Sequence, residues 1–295
     1  MALFLRLSHA FIRANHFTPV LEYAVADDSS SGATLCRVCR MFRTWVLPEL
    51  YGRVVLATSD RVVRFAHSLM ESQYDVPLEP TPASAVLALW IGPCSFDSHH
   101  NLTYGSSTWP ITLIQQTLAR LPALKTLAII NLSQFLLRHI TSVIPRTVST
   151  LYLGPVHGTI DIRHLPCATS LHLRTLTSLD TWMDDTEICA LVRAPGVRVV
   201  RRLFSSGAHV KLAFEQLACV DARAPALERM EIVCYGTTRA DAARVLDGMA
   251  ERYEFDRERV VLVPCAAQVL ERNGAVDSAL ALFRDWLEHE DGVLA

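Results

Sequence analysis

The sequence predicts an α/β protein in which short parallel strands alternate with helices along an irregular, open stack closed at its carboxyl side by a capping helix. A recurring frame carries that expectation: a proline, four residues, an aliphatic residue, one residue, and a second aliphatic residue. It occurs at Pro82 with Leu87 and Leu89, Pro122 with Leu127 and Ile129, Pro166 with Leu171 and Leu173, and Pro225 with Met230 and Ile232. Pro145 opens a copy one residue longer, ending in Leu151 and Leu153, and Pro195 opens a decayed copy with Val200 but Arg202 in the second aliphatic place. A second observation is the helical spacing of the intervening segments 111–120, 133–144, 184–193 and 237–253, several of which open on a capping residue such as Ser133 or Asp184.

Each part of the frame has a physical role. Proline ends the preceding element and biases its neighbour toward extended backbone. Apolar residues two apart point to one face of a short strand. Strands that alternate with helices pair in parallel, because the helix supplies the crossover a parallel connection needs. Both a closed or doubly wound domain and an open solenoid of leucine-rich-repeat type satisfy that rule. The intervals between the prolines, 40, 23, 21, 29 and 30 residues, and the recurrence of proline itself favour the irregular leucine-rich-repeat-like solenoid. Units of that size cannot bury their own apolar face, and stacking builds a shared core in which each buried leucine contributes roughly 1.5–3 kcal/mol. Residues 259–265 read as a last strand. Residues 275–290 read as an amphipathic helix with Leu280, Phe283, Trp286 and Leu287 on one stripe. That helix is expected to cap the stack, and an exposed partner-binding helix is the alternative.

Bulk composition narrows the function classes. The chain has 295 residues, 51% hydrophobic and 20% charged, with a formal charge of −2. Such a chain folds, and it carries no global field toward nucleic acid or an anionic membrane. Arg198, Arg201 and Arg202 form the one local basic cluster, read as a solvated strand edge rather than a nucleic-acid site. No apolar run reaches the ~18 residues of a membrane span. The eight cysteines (36, 39, 94, 167, 189, 219, 234 and 265) sit mostly in apolar segments, as reduced thiols would, so a cytoplasmic or nuclear setting is expected. The sequons at Asn101 and Asn131 are read as chance. The opening segment, with Arg6 and Arg13 and no acid before Glu22, is read as a short packing helix, with a mitochondrial targeting helix as the alternative.

Residues 35–56 are the most informative stretch outside the repeat. Leu35, Val38, Cys39, Phe42, Trp45 and Val46 share one side of a helix, and Arg37, Arg40 and Arg43 another. Pro48 disfavours an unbroken continuation, so a turn or short helix, a first strand and a further helix capped by Asp60 are expected. Cys36 and Cys39 have neither the second ligand pair that zinc requires nor the preceding strand of a thioredoxin-type motif.

The segment from Val38 through Phe42, Trp45, Leu47, Pro48 and Tyr51 to Leu56 resembles the second half of an F-box motif, as found in fungal F-box-like proteins with irregular leucine-rich repeats. Phe17 to Glu22 stands where that family has its opening Leu-Pro helix, with Phe in place of Leu. The resemblance implies an F-box-like helical segment over residues 1–50 and the degenerate repeat region over 51–295. It further implies that Pro19, Leu21, Val38 and Phe42 face or support the adaptor subunit of an SCF ubiquitin ligase, while the repeats bind a protein substrate.

No G-x-S-x-G elbow, phosphate loop, dinucleotide fingerprint or H-E-x-x-H occurs in the chain. The polar loop 95–109, with Asp97, His99, His100 and Tyr104, is the residual enzyme candidate, though adjacent histidines on extended backbone point apart. Asp184, Asp185 and Glu187 stand where a helix begins, so their carboxylates suit the helix dipole better than a cation. The expectation is a non-enzymatic protein-binding protein with no cofactor or metal. A scaffolding repeat protein with a vestigial amino-terminal module is the first alternative, and an α/β enzyme using the 95–109 loop is the second.

Overall fold

The computed structural model describes residues 40–71, 81–96, 101–155, 164–220, 224–269 and 275–294, with side chains described from 46 to 289. Eight strands form a single open sheet: β1 (Arg53–Leu56), β2 (Ala88–Ile91), β3 (Thr126–Ile130), β4 (Thr150–Gly154), β5 (Thr175–Leu179), β6 (Val199–Phe204), β7 (Arg229–Gly236) and β8 (Val260–Ala266). Their spatial order is their chain order, and every neighbouring pair is parallel. The described helices are α1 (Arg40–Tyr51), α2 (Ser59–Glu71), α3 (Pro82–Ala85), α4 (Ile111–Leu118), α5 (Gln134–Thr141), α6 (Pro166–Thr169), α7 (Asp185–Val192), α8 (Gly207–Glu215), α9 (Arg239–Ala250) and α10 (Ser278–Leu294).

A shared hydrogen-bond device starts six of the strands. The Gly52 carbonyl accepts the amides of both Leu87 and Ala88. Leu87 accepts Lys125 and Thr126, Lys125 accepts Ser149 and Thr150, and Ser149 accepts Arg174 and Thr175. Arg174 accepts Arg198 and Val199, and Arg198 accepts Glu228 and Arg229, all at 2.7–3.1 Å. A carbonyl has two lone pairs, so one oxygen can hold two successive amides and lock each strand's start to the strand before it. The side chains at these places are unrelated, because the device is made of backbone alone.

The prolines act one step earlier. Pro122, Pro195 and Pro225 are the second residue of turns closed by Leu124, Val197 and Leu227 amides donating to Leu121, Ala194 and Ala224 carbonyls, the position for which proline's φ is preset. In the Pro145 copy the closing bond runs from Val148 N to the Pro145 carbonyl itself. Proline is then the first residue of the turn, which accounts for the longer spacing. Pro82 and Pro166 open the short helices α3 and α6 instead.

Four expectations about the elements differ from the structure. The Pro166 frame does not end in a strand at Leu171 and Leu173: Leu171 is half exposed with φ +60°, and β5 begins at Thr175, with Leu176 and Ser178 aligned to Leu151 and Leu153. The helix at 166–169 uses up the residues that would have been extended. Pro48 does not end its helix, since α1 continues to Tyr51. A proline near a helix end forfeits one backbone bond, and the Pro48 carbonyl still receives the Gly52 amide. In α2 it is the Thr58 hydroxyl that accepts the Arg61 amide, with Asp60 in the first turn. Finally, the carboxyl-terminal helix caps no end of the stack. It lies on a face of the sheet.

That placement follows from how the two faces fill. One face, with Leu56, Leu89, Ile91, Leu127, Ile129, Leu151, Leu153, Leu176, Val200, Met230 and Ile232, packs against the apolar stripes of α2, α4, α5, α7, α8 and α9 in one continuous core. The alternate residues, Ala88, Trp90, Ala128, Ile130, Tyr152, Leu179, Leu203, Val233 and Tyr235, are buried on the other face under Leu282 and Trp286 of α10. Trp90 meets Phe283 and Trp286 with ring centroids 4.9 and 5.5 Å apart. Asp277 anchors the start of α10 by accepting the Leu280 amide at 3.0 Å and also the Ser95 hydroxyl and the Phe96 amide beyond β2.

The exits of β2 to β5 all use left-handed backbone. Gly92 (φ +127°), Asn131 (φ +67°), Gly154 (φ +142°) and Asp180 (φ +40°) turn the chain out of the sheet. A Cβ on Gly92 would stand 2.3 Å from the Ile130 carbonyl oxygen, and one on Gly154 2.3 Å from that of Leu179, so close approach by the next strand requires glycine there.

Gly92→Ala is therefore expected to destabilise the fold by about 3 kcal/mol or more in urea unfolding, combining left-handed strain with a backbone clash. Gly105→Ala, at φ +72° with open space around it, should cost about 1 kcal/mol. Trp286→Ala should cost about 3–5 kcal/mol, because it empties a fully buried position between helix and sheet.

Candidate functional site: the carboxyl edge of the sheet

Because every strand runs the same way, the segments that leave the strand ends share one edge. Phe96 follows β2, Phe135 opens α5 after β3, and Trp182 follows β5. Their exposures, 36%, 67% and 61%, are those of surface aromatics with much of their ring in water. Tyr104, in the β2–α4 connection, adds a fourth at 39%. Sequence reasoning missed Phe135 and Trp182. Phe135 is detectable afterwards as the apolar residue off the buried stripe of α5, Leu137 and Ile140.

The loop 95–109 belongs to this edge and is tied down where it is described. The Asn101 side-chain carbonyl accepts the Ser59 amide at 2.8 Å, and the Asn131 amide side chain donates to the Leu102 carbonyl at 2.9 Å. Leu102 and Trp109 are core residues, and the Trp109 indole N–H donates to the Thr103 carbonyl. Asp97, His99 and His100 lie outside the described residues, as do Pro19, Leu21, Val38, Cys36 and Cys39. Phe42 is placed only through the backbone of α1.

Beside Trp182, the acidic group has a structural role. The Asp184 carboxylate accepts the Glu187 amide at 2.8 Å, and Glu187 in turn accepts the Asp184 amide at 2.9 Å, a reciprocal cap on α7. The Thr186 hydroxyl and then the Glu187 amide, both donating to Asp184, hold its carboxyl below the usual carboxylate range. Among the described residues, no three His, Cys, Asp or Glu side chains converge as a metal site. A cleft of about 290 Å³ lies at the opposite edge, where Pro122, Pro145 and Pro166 meet Leu118, Val143 and Ile144.

The arginine cluster is not a solvated edge. β6 is an interior strand between β5 and β7, so the alternation of side chains sends Arg201 and Arg202 to opposite faces, both buried. Arg201 points to the face covered by α10. Its two terminal nitrogens donate to the Asp285 carboxylate at 2.6 and 2.7 Å, and its Nε donates to Glu231 at 2.8 Å. Burial opposes its charge, and Asp285 and Glu231 overcome that opposition and raise its pKa. Arg202, 0% exposed, lies among the helices and donates to Gln216 at 2.6 Å. Burial, only partly offset by Cys219, lowers its pKa to about 10. The sequence shows arginines in a strand but cannot show which carboxylate returns from elsewhere in the chain.

Asp285→Ala is expected to lower stability by about 3 kcal/mol in urea unfolding, because it leaves a buried guanidinium with one carboxylate instead of two. Asp285→Asn should cost less, since the amide oxygen still accepts one of the two bonds. No protein-family model and no curated protein sequence matches this chain.

Proposed function

We propose that the protein works by holding other proteins, as an irregular leucine-rich-repeat-type solenoid whose carboxyl edge receives a target and whose segment around residues 17–50 docks the adaptor of an SCF-type ubiquitin ligase. The observation that carries the repeat part is the order of the sheet. Eight strands pair strictly in chain sequence, and six of them start with the same doubly accepting carbonyl. An array of that kind is a sum of neighbouring units, and it presents equivalent loops side by side along an extended edge. Aromatics at those loops supply large contact area at small entropic cost. The adaptor part rests on the resemblance of residues 35–56 to an F-box, with Pro19, Leu21, Val38 and Phe42 as contact or supporting residues.

A scaffolding role with the amino-terminal helices serving only as a cap is favoured by a separate observation. Val46 and Leu47 in α1 are buried, and the Gly52 carbonyl that follows α1 seats the start of β2. Burial at the end of α1 supports the reading of this segment as a cap.

Co-purification of the full chain with the SCF adaptor, repeated with Val38→Asp and Phe42→Asp, separates the two. The ligase reading expects stoichiometric adaptor with the wild type and at least a tenfold loss with each variant, while the urea midpoint stays unchanged. Wild-type chain that brings down no adaptor ends that reading. Under the cap reading, deletion of residues 1–50 yields aggregated protein. For the edge, Phe135→Ser with Trp182→Ser is expected to leave the fold intact and to weaken capture of any target at least tenfold.

A further inference from the structure

Two cysteines from neighbouring units meet beside the buried Arg202. Cys189 lies on α7, and Cys219 lies in the short turn of 3₁₀ helix, Leu217–Cys219, that follows α8. Their Sγ atoms are 2.6 Å apart, so closing to the ~2.05 Å of a disulfide takes a movement of only about 0.6 Å. Cys219 is nearly buried and directs its thiol also toward the Asp185 carbonyl at 3.7 Å, whereas Cys189 is partly open to solvent. Gln216 holds the surroundings together. It accepts from Arg202 and donates to the Met183 carbonyl at 2.8 Å and the Asp185 carboxylate at 3.0 Å.

The other described cysteines lack such a partner. Cys234 and Cys265 are on adjacent strands but on opposite faces of the sheet, one in each core. Cys94 belongs to the face under α10, and Cys167 to the helical face.

We propose that Cys189 and Cys219 are a redox-active dithiol that a hydroperoxide closes to a disulfide, linking α7 to the turn after α8. In the first step the Cys189 sulfur attacks the terminal peroxide oxygen, the O–O bond breaks, and the Cys189 proton leaves with the departing hydroxide or alkoxide as water or the alcohol, so that the sulfur becomes a sulfenic acid. In the second step Cys219 sulfur attacks the Cys189 sulfur, the S–O bond breaks, the Cys219 proton leaves with the departing hydroxide as water, and the disulfide forms.

The division of roles follows from the surroundings. Burial, then Cys189 and Asp185, raise the pKa of the Cys219 thiol and favour its protonated form. Cys189, the more open of the two, meets the oxidant first. Arg193 and Arg202 are each electrostatically coupled to Cys219 and favour its negative form as the proton leaves. Arg202 is otherwise a buried guanidinium whose Nε and Nη2 have no hydrogen-bond partner among the described residues. This pair stands independently of the partner-binding reading.

Tryptic mapping tests the proposal directly, because cleavage after Arg174, Arg193, Lys211 and Arg223 places Cys189 alone in peptide 175–193 and Cys219 alone in peptide 212–223. The reduced full chain is treated in native buffer with a few equivalents of hydrogen peroxide, alkylated, and digested without reductant. The expected result is a cross-linked species of those two peptides, lighter by two hydrogens than their sum, which dithiothreitol splits. Cys189→Ser is expected to leave Cys219 fully alkylated under the same conditions. Guanidinium should slow the linkage at least tenfold, since it removes the proximity. Recovery of both peptides alkylated, pairing of either with other cysteines instead, or equal rates in native buffer and guanidinium would overturn it.

Discussion

A parallel sheet whose crossovers all lie on one side has a second face, and that face must be covered or polar. Here it is apolar. Trp90, Tyr152, Leu179, Leu203 and Val233 would stand in water if only the helices of the repeating units were present. The single helix α10 meets this constraint by crossing the face, placing Leu282 and Trp286 against it and pairing Asp285 with Arg201. The tether from Asp277 to Ser95 and Phe96 fixes its other end beside β2. Each strand pairs with the strands next to it in chain order, whereas α10 touches both Trp90 of β2 and Arg201 of β6.

The two arginines of β6 show what that arrangement demands. Arg201 faces α10 and is neutralised by two carboxylates from separate elements, so its charge reinforces the helix position. Arg202 occupies a place where the repeat pattern would put an aliphatic residue. It has Gln216 and the face of Phe204, 5.3 Å from its guanidinium carbon, and the sulfur of Cys219 as electrostatic company. A buried charge with so little compensation is expensive for folding. The dithiol proposed for Cys189 and Cys219 would give the position a chemical use, since Arg202 and Cys219 influence each other's charge.

With one face filled by helices and the other by α10, the edges remain as the accessible parts of the sheet. The carboxyl edge carries the exposed Phe96, Phe135 and Trp182, and hydrogen bonds of Asn101, Asn131, Asp180 and Asp184 hold described parts of its connections. Exposed aromatic rings favour contact with another macromolecule, since they offer a large contact area with few rotatable bonds to order on binding. The proposed tethering role draws on that edge rather than on the sheet face, which α10 already occupies.

The proline frame made β2, β3, β4, β6 and β7 legible from sequence, and helical spacing did the same for α4, α5, α7 and α9, because both signals are local and repeat within a few residues. At Pro166 the frame failed, since a short helix and a left-handed Leu171 leave the same residue types in a different backbone path. The amphipathic stripe of residues 275–290 was likewise readable at Phe283, Trp286 and Leu287, though Leu282 and not Leu280 is its buried leucine, as was its need for an apolar partner. Which surface it would cover was not, because the pairing of Asp285 with Arg201 and of Asp277 with Ser95 joins residues 84 and 182 positions apart. The amino-acid sequence alone thus determined most of the strands, the longer helices and the parallel sense of their pairing, because those signals are local. Only the tertiary structure decided the burial of Arg201 and Arg202, the meeting of Cys189 with Cys219, and the exposed aromatic edge, because each depends on side chains from distant units reaching the same few ångströms of space.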